Sequence, residues 1–248
     1  MRAALFVTCL VDNFFPNTAE AMVRILAECG VEVVFPKDQT CCGQPAFNSG
    51  YIDDAKAVAA TMVRALADYD YIVSPSGSCT GMVHHYYPDL FRNDLHTAEA
   101  ATRVTQNSYE FTQFLVNVLK ITDLNARFPH TVTYHPSCHG TRLLGVRDEP
   151  EQLLRAVRDI RLIDLPYAED CCGFGGTFAA KMDEISTAMV TEKVQHVRET
   201  EAEVLVGTDM GCLMNIGGRM RREGQPTRVM HIAELLYEGM RLGTEVHA

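Results

Sequence analysis

The sequence has no apolar run near the roughly 18 residues that a membrane-crossing helix needs, so a spanning segment is not expected. Positive charge is scarce: 22 Lys and Arg stand against 32 Asp and Glu, a net charge of −10. Such a field repels nucleic acid unless a dense basic patch overrides it. The one compact basic cluster, Arg219, Arg221 and Arg222, is followed at once by Glu223 and reads as a solvated helix face. No nucleic-acid partner is expected. A Walker-type phosphate loop, a Gly-x-Gly-x-x-Gly fingerprint and a Ser-His-Asp arrangement are also missing, and no flavin or nicotinamide site is visible. Met1 to Val7 carries one positive charge and no small-residue cleavage site, and the chain turns polar at Asp12 and Asn13. An export signal is therefore not expected, and a cytoplasmic location is.

What is present is an ordinary globular mixture, 47% apolar and 22% charged over 248 residues. That length suits one or two domains with a core that needs no covalent staples. The nine cysteines then need another reason to be there. In a reducing compartment structural disulfides are rare, and nine is odd, so metal binding or redox chemistry is the better reading.

The chain repeats itself. Cys41-Cys42-Gly43 recurs as Cys171-Cys172-Gly173, and Cys9 and Cys79 recur as Cys138 and Cys212. The four offsets are 129, 130, 130 and 133 residues, which is a tandem duplication using eight of the nine cysteines. The ninth, Cys29, has no counterpart. It falls at the end of a helix spanning Ala19 to Glu28 and fits a core or near-core position, where free cysteine behaves as a small hydrophobe.

The surrounding pattern duplicates as well. Short β-rich runs at Ala3 to Val7 and Thr131 to Tyr134 lead to Cys9 and Cys138. Runs at Val31 to Pro36 and Ile160 to Pro166 precede each Cys-Cys-Gly, and Tyr71 to Val73 and Val204 to Val206 precede Cys79 and Cys212. Helical periodicity marks Ile52 to Leu66 and Ile185 to Val197, and an amphipathic helix closes each repeat at Tyr109 to Leu119 and Ile232 to Met240. Strands alternating with helices predict an α/β fold of two tandem Rossmann-like βαβ repeats with mostly parallel sheets, related by internal duplication. The join falls near Asp123 to His130, which divides the chain into repeat domains 1–126 and 127–248. In such sheets ligands bind outside the carboxyl ends of the strands, where all eight cysteines are expected.

Thiolates are soft ligands that favour iron–sulfur clusters, zinc and copper(I). Structural zinc often takes cysteine pairs two to four residues apart. Here the intervals are 31 and 36 residues around the first adjacent pair, and 32 and 39 around the second. One peptide link constrains the two sulfur directions of an adjacent pair, which suits a centre with several metal atoms better than one tetrahedral ion. An iron–sulfur cluster is thus favoured over zinc, and [4Fe–4S] matches four thiolates per repeat in number. A thiol–disulfide oxidoreductase using the adjacent pairs, and a zinc-binding assembly module without redox chemistry, stand as alternatives. The expected ligand sets are Cys9, Cys41, Cys42 and Cys79, and Cys138, Cys171, Cys172 and Cys212.

Gly43 and Gly173 follow the pairs directly and allow amide N–H groups to approach sulfur through positive φ. Cys79 and Cys212 are expected near helix starts, where the dipole favours an anionic centre. Among the histidines, His135 and His139 bracket Cys138, and His84 and His85 follow Cys79. Ordinary hydrogen bonding is the default for each, and His139, adjacent to an expected ligand, is the favoured cofactor-binding candidate.

The patterns Cys-x31-Cys-Cys-Gly-x35-Cys and Cys-x32-Cys-Cys-Gly-x38-Cys resemble the paired cysteine-rich (CCG) domain family. That family includes the cysteine-rich subunit of heterodisulfide reductase and the iron–sulfur subunit of glycolate oxidase. Tyr134-His135-Pro136-Ser137-Cys138-His139 and Glu169-Asp170-Cys171-Cys172-Gly173-Phe174-Gly175-Gly176 look most like its lactate-utilisation members. The resemblance spans essentially the whole chain. It implies an iron–sulfur electron-transfer subunit that works with sister iron–sulfur proteins in oxidising L-lactate, or a related 2-hydroxy acid such as glycolate, to the 2-oxo acid. It implies a non-catalytic or co-catalytic oxidoreductase subunit that passes electrons and removes no hydride itself, and no catalytic residue is assigned. The fullest family pattern ends each repeat in Cys-x-x-Cys, whereas Met82 and Asn215 stand at the last position here. Thioether sulfur is a weak substitute, and Met82 is not counted as a ligand.

Overall fold

The structure, a computed structural model, describes residues 1–245. Short apolar runs form eight strands: β1 (Arg2–Leu5), β2 (Glu32–Val34), β3 (Ile72–Ser74), β4 (Ser108–Glu110), β5 (Thr131–His135), β6 (Arg161–Ile163), β7 (Val204–Gly207) and β8 (Arg228–His231). They make two four-stranded sheets with orders β2-β1-β3-β4 and β6-β5-β7-β8, and all their pairings are parallel. Helices fill the connections, so the fold is α/β and built twice.

The alternation along β1 explains how a sheet is covered on both faces. Ala3, Leu5 and Val7 enter one apolar core, while Ala4 and Phe6 enter the other with Met62, Val63 and Tyr87. The first of these cores is shared with the second repeat, through Val132, Leu205, Ile232 and Leu236. One hydrophobic interior therefore runs through both repeats. The linker is held by the C-terminal helix Ile232–Glu245, where the Arg127 N–H donates to the Gly239 carbonyl at 2.8 Å.

Two details differ from the sequence-based expectation. Tyr109 to Leu119 is not one amphipathic helix: Ser108–Glu110 is a strand, followed by one turn at Phe111–Gln113 and a π-helical turn at Phe114–Val118. Glu110 causes the switch, since its carboxylate caps the turn through the Thr112 and Gln113 N–H groups at 2.8 and 3.2 Å. The matching fourth strand, β8, lies just ahead of the expected C-terminal helix.

Candidate metal centre

In each repeat the chain leaves the central strand, forms one edge, then returns to the other side. The crevice between β1 and β3, and between β5 and β7, is therefore a topological switch point open at the strands' carboxyl ends. Cys9 and Cys138 begin the helices Cys9–Phe14 and Cys138–Leu143 directly after the central strands. The adjacent pairs sit in turns beyond β2 and β6. Cys79 and Cys212 stand in the first turns of the helices Gly77–Phe91 and Met210–Arg222. Ser76 and Asp209 cap those helices, accepting from the Cys79 and Gly211 N–H groups at 3.1 and 2.9 Å.

This placement gathers each quartet. All nine cysteines are free thiols. The Cys9 and Cys41 sulfurs lie 3.9 Å apart, and those of Cys42 and Cys79 lie 3.5 Å apart. In the second repeat the Cys138 and Cys172 thiols lie beside Cys171 and favour its ionisation, and Cys172 also lies beside Cys212. Four thiols in contact cannot all ionise, so the first thiolate settles where donors converge. Hydrogen bonds from Cys42 and Cys9, with the Gly43 and Cys42 N–H groups, hold the Cys41 thiol down at about 3. Those from Cys138 and Cys172, with the Gly173 N–H at 3.4 Å, hold Cys171 at about 2. Cys9, Cys42, Cys138 and Cys172 are pushed up by their sulfur neighbours and by burial.

The two glycines make these turns possible. Gly43 and Gly173 adopt φ of +87° and +77°. A Cβ at either would meet the carbonyl oxygen of Ala55 or Ser186, at 3.0 and 2.8 Å. Only glycine combines that backbone with that approach.

The histidines divide sharply. His139 turns its Nδ1 to the Gln44 amide of the other repeat, 3.2 Å away, so the favoured candidate spans the seam between repeats. His84 bonds the Ser108 carbonyl at 2.7 Å, an ordinary role in the fold. His135, weighed equally with others in the sequence, is fully buried and has no hydrogen-bond partner on either ring nitrogen. Burial, with Lys193 nearby, pushes its pKa down to about 3 and keeps the ring neutral. A ring nitrogen and the Cys172 and Cys212 sulfurs lie within 4.8 Å of one another. Lys193 was not legible as a site residue. It is 1% exposed, it donates to the Tyr167 and Ala168 carbonyls at 2.6 and 3.3 Å, and its charge is felt at Cys171, Cys172 and Cys212. Its sequence signal was only a lysine on the inner face of a periodic helix.

Met82 is fully buried in an apolar core, and Asn215 donates to the Cys172 carbonyl at 2.8 Å, so each has a structural role in place of a thiolate. Cys29 packs half-buried against the main core, where burial pushes its thiol up.

The first quartet faces the seam between repeats. Ser76 pairs with Asp209, donating through its hydroxyl at 2.9 Å, and the Ser78 N–H donates to the same carboxylate at 2.9 Å. Gly77 and Gly140 let the helices Gly77–Phe91 and Cys138–Leu143 touch, since a Cβ on Gly77 would meet the Gly140 Cα at 3.0 Å. A cavity of about 350 Å³ opens beside the first quartet, with Cys9, Cys41 and Cys79 on one wall and Phe174, Met210 and Gly211 of the second repeat on the other. The donor chemistry fits a thiophilic metal. Each quartet offers four converging thiols, and backbone N–H groups stabilise the first anion. Among the described residues no helix is long and apolar enough to cross a membrane.

Comparison with known proteins agrees with this geometry. The cysteine-rich domain model named CCG matches residues 3–84 and again 132–217. "Lactate utilization protein A 2" of Bacillus cereus (strain AH820) is 51% identical over 240 residues, covering 97% of this chain and 99% of that one. "Lactate utilization protein A" of Geobacillus thermodenitrificans (strain NG80-2) is 55% identical over 236 residues, covering 95% and 98%. Among solved structures, a hypothetical protein from Helicobacter pylori superimposes with a TM-score of 0.64 at 10% identity. It shares the fold over 96% of this chain, which spans 49% of that one. The chain belongs to the CCG cysteine-rich domain family and carries the domain twice.

Proposed function

We propose that this protein is an iron–sulfur electron-transfer subunit of a multi-protein system that oxidises L-lactate, or a related 2-hydroxy acid, to the 2-oxo acid. The observation that carries the reading is the gathering of eight of nine free thiols into two quartets at equivalent switch points. The lactate assignment rests on relatives above 50% identity over nearly full length. In this reading the repeat domains are 1–126 and 127–248, and Cys9, Cys41, Cys42 and Cys79 hold one [4Fe–4S] cluster. Cys138, Cys171, Cys172 and Cys212 hold the other.

A bound cluster would supply one-electron chemistry. The residues of this chain do the rest. The Gly43 and Gly173 amides donate toward the sulfurs of Cys41 and Cys171, which raises the potential of whatever those thiolates hold. Asp209 ties the two helix starts together, so the quartets keep one relative position. His139 and Gln44 bond across the same seam. Sister iron–sulfur proteins of the system would deliver or remove electrons, and a cytoplasmic location suits that partnership.

Zinc is the second reading, favoured by one observation. A tetrahedral ion with bonds of about 2.3 Å separates its sulfurs by about 3.8 Å, close to the 3.5 and 3.9 Å seen. Metal and sulfide analysis with visible absorption, on protein purified without oxygen, separates the two. Brown absorbance bleached by dithionite, with iron and sulfide in each quartet, is expected. Reduction by lactate in the presence of the sister proteins then tests the pathway. Stoichiometric zinc without colour overturns the electron-transfer reading.

A further inference from the structure

We propose that His135 takes the place of one thiolate as a metal ligand of the second quartet, which makes that centre a mixed nitrogen–sulfur site and the first an all-sulfur one. This rests on the metal-binding reading above and goes beyond it, because neither the cysteine spacing nor the resemblance assigns the residue a role.

His135 ends β5, three residues ahead of Cys138, and is 2% exposed. A buried imidazole normally spends its N–H on a carbonyl, a carboxylate or water, because an orphaned polar group in the interior loses its hydration without replacement. His231, equally buried, shows the usual solution, reaching the Pro75 carbonyl at 3.0 Å. His135 has neither ring nitrogen satisfied. What its ring does meet is sulfur, with one nitrogen, Cys172 Sγ and Cys212 Sγ mutually within 4.8 Å. Those are two of the four thiols of the quartet, and three such donors define the face of a coordination sphere. A neutral imidazole gives the lone pair of one nitrogen to the metal and keeps its proton on the other.

The first repeat supplies an internal control. Leu5 pairs with Val73 and Tyr134 with Val206, so the residues that follow, Phe6 and His135, occupy the same place in their repeats. Phe6 is 1% exposed and packs in an apolar core. The fold therefore accepts a phenyl ring at this position without loss of the strand. The imidazole is not needed for packing.

X-ray absorption at the edge of whichever metal the purified protein holds tests this directly, in wild type, H135F, H135N and H139F. A directly bound imidazole adds a nitrogen shell inside the sulfur shell, about 2.0–2.1 Å against about 2.3 Å for zinc, and scattering from the ring carbons beyond. The expected result is one imidazole per chain in wild type and H139F, falling to none in H135F and H135N. An all-sulfur wild-type spectrum, or an imidazole that survives in H135F or disappears in H139F, overturns the proposal while leaving the metal centres intact. Protein isolated without metal would overturn the metal reading and this one together. The wild-type and H139F spectra decide the matter even where the His135 variants fold poorly.

Discussion

The two quartets have matching thiols and unlike walls. Around the first stand Phe6, Met62 and an open cavity, with Cys9, Cys41 and Cys79 half-buried. Around the second stand His135 and Lys193, and Cys212 is buried. The equivalence of Met62 and Lys193 follows from the helices that carry them. Gly43 approaches Ala55 as Gly173 approaches Ser186, which sets one register, and seven residues on lie Met62 and Lys193. Met62 accepts the Thr40 N–H through sulfur at 2.9 Å, whereas Lys193 donates to two carbonyls of the corresponding loop. Even the approach to the first cysteine differs. Thr8 is held at φ +45°, a strained place for a β-branched residue, while Ser137 is relaxed at −70° and caps its helix. Duplicated loops thus keep the thiol geometry, while the strand and helix residues behind them set each centre's charge and access.

The largest expected effect tests whether the quartets are separate centres. Cys42→Ser and Cys172→Ser each replace a buried thiol with a hydroxyl, a poor partner for a soft metal. Each variant should lose the metal of its own repeat alone, halving metal per chain. Complete loss from either single variant would mean one shared centre and would break the comparison.

The next effect sharpens it in the backbone. Gly43→Ala and Gly173→Ala both force a side chain into left-handed φ, costing about 1–2 kcal/mol, and crowding against a carbonyl adds about 1–3 kcal/mol. The approach is closer at Gly173, where Met189 Cβ also stands 3.1 Å away. Thermal unfolding should therefore show the larger loss for Gly173→Ala. An equal or reversed order would mean that the second loop yields more easily than its spacing suggests.

These loops were the most legible part of the molecule. Cys-Cys-Gly twice, with strands ahead and helices behind, marks where the thiols gather, because only glycine fits the turn after each pair. The fourth strands were hidden for a physical reason. Ser108–Glu110 is three residues long and polar at both ends, and its burial comes from β3 and from the capping role of Glu110. His135 was visible as a histidine three residues ahead of a cysteine, and adjacency to that cysteine pointed to His139 instead. Only the orphaned ring in one and the Gln44 bond in the other separate the two.

Glu110 and His231 extend the contrast to pH. Ser74 pairs with Glu110, and Gly207 with His231, so the two titratable groups end equivalent fourth strands. Burial pushes Glu110 up to about 7 from 4.5, with Oε1 unpartnered, and pushes His231 down from 6.5. The signs oppose each other. The raised Glu110 contributes stability that is fully present below pH 4.5 and lost as pH climbs to about 7. The depressed His231 contributes stability that is present above pH 6.5 and lost as pH falls below it. The shift at Glu110 corresponds to about 3 kcal/mol. Glu110→Gln should therefore gain on wild type in denaturant titrations as pH rises from 4.5 to 7, and hold that gain above. A pH-independent difference would show that the carboxylate finds a partner in the fold.

The smallest effect is the most specific to function. Lys193 places a buried positive charge where the second quartet feels it, and Met62 leaves the first quartet without one. A cation beside an anionic centre favours its reduced form, so the second centre should have the higher potential and serve as the acceptor of the pair. Lys193→Met copies the first repeat. It should lower one of two midpoint potentials by on the order of 50 mV, close to one tenfold step for a one-electron couple. The other potential should stay put. If both move equally, the charge acts on the whole molecule and the walls are not what distinguishes the centres. If neither moves, the carbonyls of Tyr167 and Ala168 already cancel the ammonium, and the difference between centres falls to His135.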